Sequence, residues 1–285
     1  MQQEYSGLRA LPVELLYEVQ LYALSPSLPC LSHHFLDVFR GSPISFRVQY
    51  LLASCANTAA PSHTADILSK ALRYPLCTPP TLDLLCSHLE TLSQSASALI
   101  IPHTSSLTPH QARRCEIPRR LFRSLAPRKD ERDWRATDEP LPFLKCIISK
   151  GQSLAKLDTN SHQGYALTKA VHARHMPLIH FLLDMGASPA HKAGMAVKVA
   201  IKQKNLKMVK MLIERDGRDG PPAPCSTPSP KGKGKRRRLE DRVEVDQSML
   251  KLAVKCNARD IIDYFAWEKG VVPDMQTLRT LTSLR

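Results

Sequence analysis

Apolar residues recur along this chain at the spacing of short amphipathic helices. Leu11, Leu15, Leu16, Val19, Leu21 and Leu24 follow a helical period within LPVELLYEVQLYAL (11–24), with Pro12 near the first turn, where its missing N–H does no harm. A Ser/Pro loop at 25–29 ends that segment, and Leu31, Phe35, Val38 and Phe39 mark a second helix in CLSHHFLDVF (30–39). Further helices are predicted over 46–55, 65–72 and 81–92, parted by Pro-containing turns such as LCTPPT. Between 101 and 142 the period dissolves. There Arg113, Arg114, Arg119, Arg120, Arg123, Arg128 and Lys129 crowd near Pro118 and Pro127, predicting a linker or a short basic helix. The expected fold class is all-α.

Downstream of residue 141 the chain repeats itself. PFLKCIISKG (142–151), PLIHFLLDMG (177–186), KMVKMLIERD (207–216) and RDIIDYFAWEKG (259–270) align as helices, and their apolar positions Leu144, Ile179, Val209 and Ile262 stand 35, 30 and 53 residues apart. Three of the four carry a preceding short helix with an apolar-x-x-small pattern: Leu167 and Ala170, Val197 and Ala200, Leu250 and Ala253. A small residue at that place lets helices approach closely. The long interval holds GRDGPPAPCSTPSPKGKGKRRRLEDRVE (217–244), which has nothing to bury and predicts a disordered loop.

A period near 33 residues of helix, tight turn and helix, with a Gly186-Ala187 ending, resembles the ankyrin repeat. The family's T-P-L-H turn is here Tyr165-Ala166-Leu167-Thr168, and its inter-helix glycine is replaced by Arg174 and Lys204. The resemblance implies an ankyrin-like helical-hairpin solenoid over 141–216 and 245–285, broken by the insert at 217–244.

At the other end, Leu11-Pro12-x-Glu14-Leu15-Leu16-x-Glu18-Val19 followed by Leu31-Ser32-His33-His34-Phe35 resembles the F-box, a small helical domain. The segment between the two halves is shorter than usual for that family. The resemblance implies an F-box-like domain over 8–50 that docks the Skp adaptor of a cullin-RING ubiquitin ligase through Leu11, Pro12, Leu15, Leu16, Val19, Leu31 and Phe35. Residues 51–140 are then a helical spacer and basic linker.

Charge sharpens this division. The chain of 285 residues holds 40 Lys and Arg against 26 Asp and Glu, a net +14, and the excess lies downstream of residue 112. Aligned repeats place Thr168, Lys198 and Lys251 in one column and His172, Lys202 and Lys255 in the next, away from the buried side. Stacking would align them as a basic strip for an acidic partner, or as an ordinary solvated face. Without interleaved aromatics, nucleic acid is not the favoured ligand.

Within the insert, Lys231, Lys233, Lys235, Arg236, Arg237 and Arg238 have the form of a nuclear-import signal, bound side chain by side chain in an import receptor's acidic groove. Thr227-Pro228 and Ser229-Pro230 before it are candidate phosphosites. His172, His175 and His180 cluster without a carboxylate or thiol at ligand spacing, so no metal is expected. Eight single cysteines, with no C-x-x-C, are read as reduced, mostly buried thiols.

Neither an export signal nor a spanning segment is seen, which leads to the expectation of a soluble intracellular protein without a membrane partner. No nucleotide, hydrolase or metalloprotease signature occurs, and neither an enzyme nor a cofactor is expected. The sequence thus predicts a nuclear, or nuclear and cytoplasmic, ligase adaptor that carries a target protein. The alternative is a nuclear ankyrin scaffold or transcriptional cofactor. A third reading has the Arg-rich 113–129 stretch and the insert bind nucleic acid or phospholipid.

Overall fold

The computed structural model describes residues 7–56, 64–98, 114–128, 133–151, 154–215 and 241–283, and these are mostly helical. The chain parts into two compact units, Met1–Leu121 with Glu139–Asp158, and Phe122–Asp138 with Thr159–Arg285.

The first unit contains α1 (Val13–Ala23), α2 (His33–Arg40), α3 (Ile44–Ala56), α4 (Thr64–Ala71), α5 (Pro79–Ala98) and α6 (Leu141–Gly151). Pro12 precedes the first turn of α1, and the Ser32 side chain caps α2 by accepting from Phe35 N–H at 3.3 Å. Helix α3 packs on α1, α4 and α5, and α5 packs on α6. Leu16, Phe39, Tyr50, Leu51, Leu68, Leu72, Leu82, Leu85, Leu89 and Leu144 are buried in its core. Burying each such leucine is worth roughly 1.5–3 kcal/mol. Two buried polar groups are tied down: Gln20 Nε2 and Tyr50 Oη each donate to Ser25 C=O at 2.9 Å.

The basic stretch after residue 113 departs from the expected linker or helix. Residues Arg114–Glu116 form a short strand, β1, paired in parallel with β2 (Lys156–Asp158), and α6 lies on the crossover between them. Cys115 and Ile117 are buried, and Glu116 N–H donates to Ser69 Oγ at 3.0 Å. Arg120 turns inward, its Nε donating to Leu72 C=O at 2.6 Å and its Nη2 to Cys77 C=O at 3.3 Å. It closes α4 and the following turn rather than facing a polyanion. Segment 142–151, aligned above with the repeat helices, is α6 of this unit, where Gly151 sits close to Leu68.

The second unit is built on three successive helix pairs: α7 (Ser161–His172) with α8 (Met176–Asp184), α9 (His191–Lys202) with α10 (Leu206–Ile213), and α11 (Gln247–Lys255) with α12 (Arg259–Asp263). A further helix, α13 (Met275–Ser283), packs on α11. The first helices contact in order, α7 on α9 and α9 on α11. Leu167 and Ala170, Val197 and Ala200, and Leu250 and Ala253 are all at most 1% exposed, and Ile179, Val209 and Ile262 are buried as well. The small residues therefore lie in the packed seam, as the spacing required.

Each pair turns the same way. Arg174, Lys204 and Asn257 have positive φ of 56°, 53° and 50°. The next residue's N–H reaches back to Ala170, Ala200 or Ala253 C=O at 3.0, 3.3 and 3.1 Å, closing a Schellman turn in all three. The turn conformation survives the loss of glycine because six backbone bonds over-determine it, two per turn.

At the opposite end of the first helices, His162-Gln163-Gly164 and Lys192-Ala193-Gly194 each make a short left-handed turn. A Cβ on Gly164 would lie 3.1 Å from His191 Cβ, and one on Gly194 would land on Met249 Cε. Both glycines let the next pair approach.

Candidate functional site

Two surfaces carry the sequence-predicted residues. On the first, the seven adaptor-docking candidates are spread over the entry to α1 (Leu11, Pro12), α1 itself (Leu15, Leu16, Val19), the residue after the 3-10 turn Leu28–Cys30 (Leu31) and α2 (Phe35). Leu16 (1% exposed) and Phe35 (4%) belong to the core, so they hold the fold and cannot themselves meet a partner. Leu11 and Val19 are half-buried, whereas Pro12, Leu15 (44%) and Leu31 (64%) are open to solvent. Consecutive leucines on a helix differ by about 100°, and here Leu16 takes the inward position while Leu15 faces out. Next to them the Tyr17 ring is tilted against Phe46 at 4.7 Å and against Phe39 at 6.2 Å. The sequence reading missed five further exposed apolar residues of this unit: Leu8, Val13, Tyr22 (88%), Ile44 and Leu92. Tyr22 lies two turns beyond Leu15 on one stripe of α1, a spacing legible in the sequence. Leu15 and Tyr22 thus give α1 one exposed apolar stripe.

The second surface lies on the helix pairs. His172, Lys202, Lys251 and Lys255 are exposed and Lys198 is half-buried. Thr168 spends its hydroxyl on Gly164 C=O at 3.0 Å. Lys251 is ion-paired with Asp274 at 2.6 Å. That hydrogen bond, with two from Thr277, holds the Asp274 carboxyl down to about 2. Lys251 therefore contributes little free charge, whereas Lys198, Lys202 and Lys255 have no ion pair among the described residues. A cleft of about 370 Å³ opens beside Lys255, lined also by Ser248, Lys251, Leu252, Gln276 and Thr277. Structure adds Arg174, Lys204 and Lys207, all exposed at the turns. For Arg174 and Lys204 the sequence signal was the replaced inter-helix glycine.

His175 does not share a site with His172 and His180, which are exposed. Its buried Nδ1 accepts from Leu178 N–H at 3.2 Å and caps α8. The Trp134 ring stacks on it at 4.5 Å and donates through Nε1 to Ala173 C=O at 2.8 Å. The Arg128 guanidinium covers the indole, 3.8 Å from its centroid, and pairs with Asp138 at 2.9 Å. Burial holds the His175 imidazole below its ordinary value. Among the described residues, no group of three or more His, Cys, Asp or Glu is placed to hold a metal ion.

The cysteines at 55, 77, 86 and 115 are buried, and burial pushes the Cys77 thiol up to about 12 and the Cys86 and Cys115 thiols up to about 11. They are protonated at neutral pH and poor nucleophiles. Lys231, Lys233, Lys235, Arg236, Arg237 and Arg238, with Thr227 and Ser229, lie outside the described residues. What the two surfaces offer chemically is apolar contact on one and fixed positive charge on the other. Comparison with family models, curated proteins and solved structures finds no match.

Proposed function

We propose that this protein is a non-enzymatic substrate receptor: the first unit docks the Skp adaptor of a Skp–cullin–F-box ligase, and the second, an ankyrin-type stack, holds the protein to be ubiquitinated. The observation that carries this reading is the α1 segment, where the L-P-x-E-L-L sequence keeps Leu16 in the core and leaves Pro12 and Leu15 bare, with Leu31 open nearby in the chain. Leu15 and Tyr22, seven residues apart, also put two exposed apolar side chains on one stripe of α1, which supports a docking face. The helix pairs support the second half, because repeated pairs give an extended surface rather than an enclosed pocket. Tethering the target beside the ligase raises its effective concentration, which is the receptor's whole contribution. The 231–238 run directs the protein to the nucleus through an import receptor.

Co-purification with the Skp adaptor tests the docking. Leu15→Asp with Leu31→Asp alters only exposed positions, so the helical circular dichroism should stay as in wild type while adaptor binding is lost. Leu16→Ala, in contrast, should cost about 2–5 kcal/mol of stability. Failure of the wild-type chain to bind the adaptor overturns the receptor reading in favour of a repeat scaffold. Replacing Arg236, Arg237 and Arg238 by Ala should leave the protein cytoplasmic, and an unchanged nuclear signal refutes the import signal.

A further inference from the structure

The turn edge of the second unit collects basic residues in register. His172, Lys202 and Lys255 end the first helices, Arg174 and Lys204 occupy the left-handed turn positions, and Lys207 opens α10; all are exposed. Among the described residues no carboxylate pairs with any of them. The three turn segments 172–180, 202–211 and 255–260 contain one acid, Asp260. Neighbouring turns touch: Gln203 Nε2 donates to Val171 C=O at 3.2 Å and to His172 C=O at 2.9 Å.

We infer that this edge binds an extended acidic peptide segment whose carboxylates recur at every third residue. The spacing supplies the argument. Packed helices stand about 8–10 Å apart, so equivalent turns repeat at that distance. A chain in the extended polyproline II form advances about 3.1 Å per residue and repeats every three residues, so residues three apart lie on one face about 9 Å from each other. One carboxylate then meets each turn, and register rather than charge alone gives selectivity. A nucleic-acid strand fits less well, because no exposed Phe, Tyr or Trp among the described residues of this edge offers a base a stacking platform. The inference rests on the second unit being the target-holding half, and it names the chemistry of the segment held.

Fluorescence anisotropy on the full chain tests it, with labelled Gly/Ser peptides of about 12 residues carrying Asp at every third position or the same Asp residues in one block. The spaced peptide should bind about ten-fold more tightly than the block. Lys202→Glu with Lys204→Glu should abolish that preference, whereas Lys192→Glu, at the far end of α9, should keep it; Trp134 fluorescence confirms that each variant is folded. Equal affinity for the two peptides, retention of the preference by the double variant, or tighter binding of a single-stranded oligonucleotide of equal charge overturns the inference. Adaptor co-purification on the same preparation reads the first unit separately, so the two failures are distinguishable.

Discussion

Replacing Lys204 by glycine should stabilise the second unit, although it deletes a side chain. Lys204 sits at φ 53°, where a Cβ crowds its own carbonyl, and its exposed side chain has no ion pair among the described residues to offset that strain. The left-handed conformation costs a non-glycine residue roughly 1–2 kcal/mol. Glycine removes that cost but gives back about 0.5–1 kcal/mol through the freer unfolded chain. The net expectation is a gain of about 0.5–1 kcal/mol, or roughly 1–4 °C in Tm for a unit of this size. Arg174→Gly, at φ 56°, should gain as much, whereas Asn257→Gly should gain less because asparagine tolerates this region. The assay is built in: both tryptophans, Trp134 and Trp267, lie in the second unit, and Trp134 is stacked on His175 while Trp267 is 84% exposed. Tryptophan fluorescence in urea therefore reports loss of the Trp134 stack without interference from the first unit. Equal or negative changes at all three positions would refute the claim that the turns hold residues against their preference.

Two other perturbations probe the same unit. Ala200→Leu places three extra heavy atoms at a position 0% exposed on α9, between α7 and α11, and should cost about 1–3 kcal/mol in the urea transition; a neutral result would mean that the seam is loosely packed. His175 is held below its ordinary value by burial, so the unfolded chain binds its proton more tightly than the folded one. Stability of the second unit should thus be full above about pH 6.5 and fall as the pH is lowered through that value towards the folded one. His175→Asn, which keeps an N-cap like that of Asn205, should flatten the dependence between pH 7 and the folded pKa, measured as the shift in urea midpoint.

The helix pairs were legible because their signal is local: an apolar-x-x-small helix, a turn and a second apolar helix fall within one stretch of chain. Replacement of the turn glycine hid the conformation but did not change it, since the backbone hydrogen bonds fix it. Burial within a pattern was less legible. The period assigns Leu15 and Leu16 to one helix, but only the packing of that helix shows that Leu16 is covered and Leu15 open. Contacts at long sequence separation gave no signal at all. Trp134 meets His175 from 41 residues away, and Arg120 closes on Leu72 and Cys77 carbonyls from 48 and 43. In composition Arg120 looks like any other arginine of a basic run, although its guanidinium serves backbone carbonyls. The strands β1 and β2 are three residues each, too short for alternation to register.

The uneven repeat interval has a physical explanation in the chain at either end of the insert. Arg242 N–H donates to Ile213 C=O at 2.7 Å, and Arg242 Nη1 donates to Met211 C=O at 3.0 Å. One ammonium, Lys269 Nζ, lies 3.2 Å from Glu214 and 2.8 Å from Asp241, while Tyr264 Oη donates to Glu214 at 2.9 Å. Residues 214 and 241 are thereby held side by side, so the third pair enters in register whatever length of chain lies between. Closing a loop costs only the logarithm of its length. Deleting residues 218–237 shortens the 25-residue segment 216–240 to five, and should stabilise the second unit by about 1.4 kcal/mol, from (3/2)RT ln 5. If the tryptophan-monitored urea midpoint falls instead, the insert contributes packing to the second unit, and the clasp at Lys269 is not sufficient to set the register of α11.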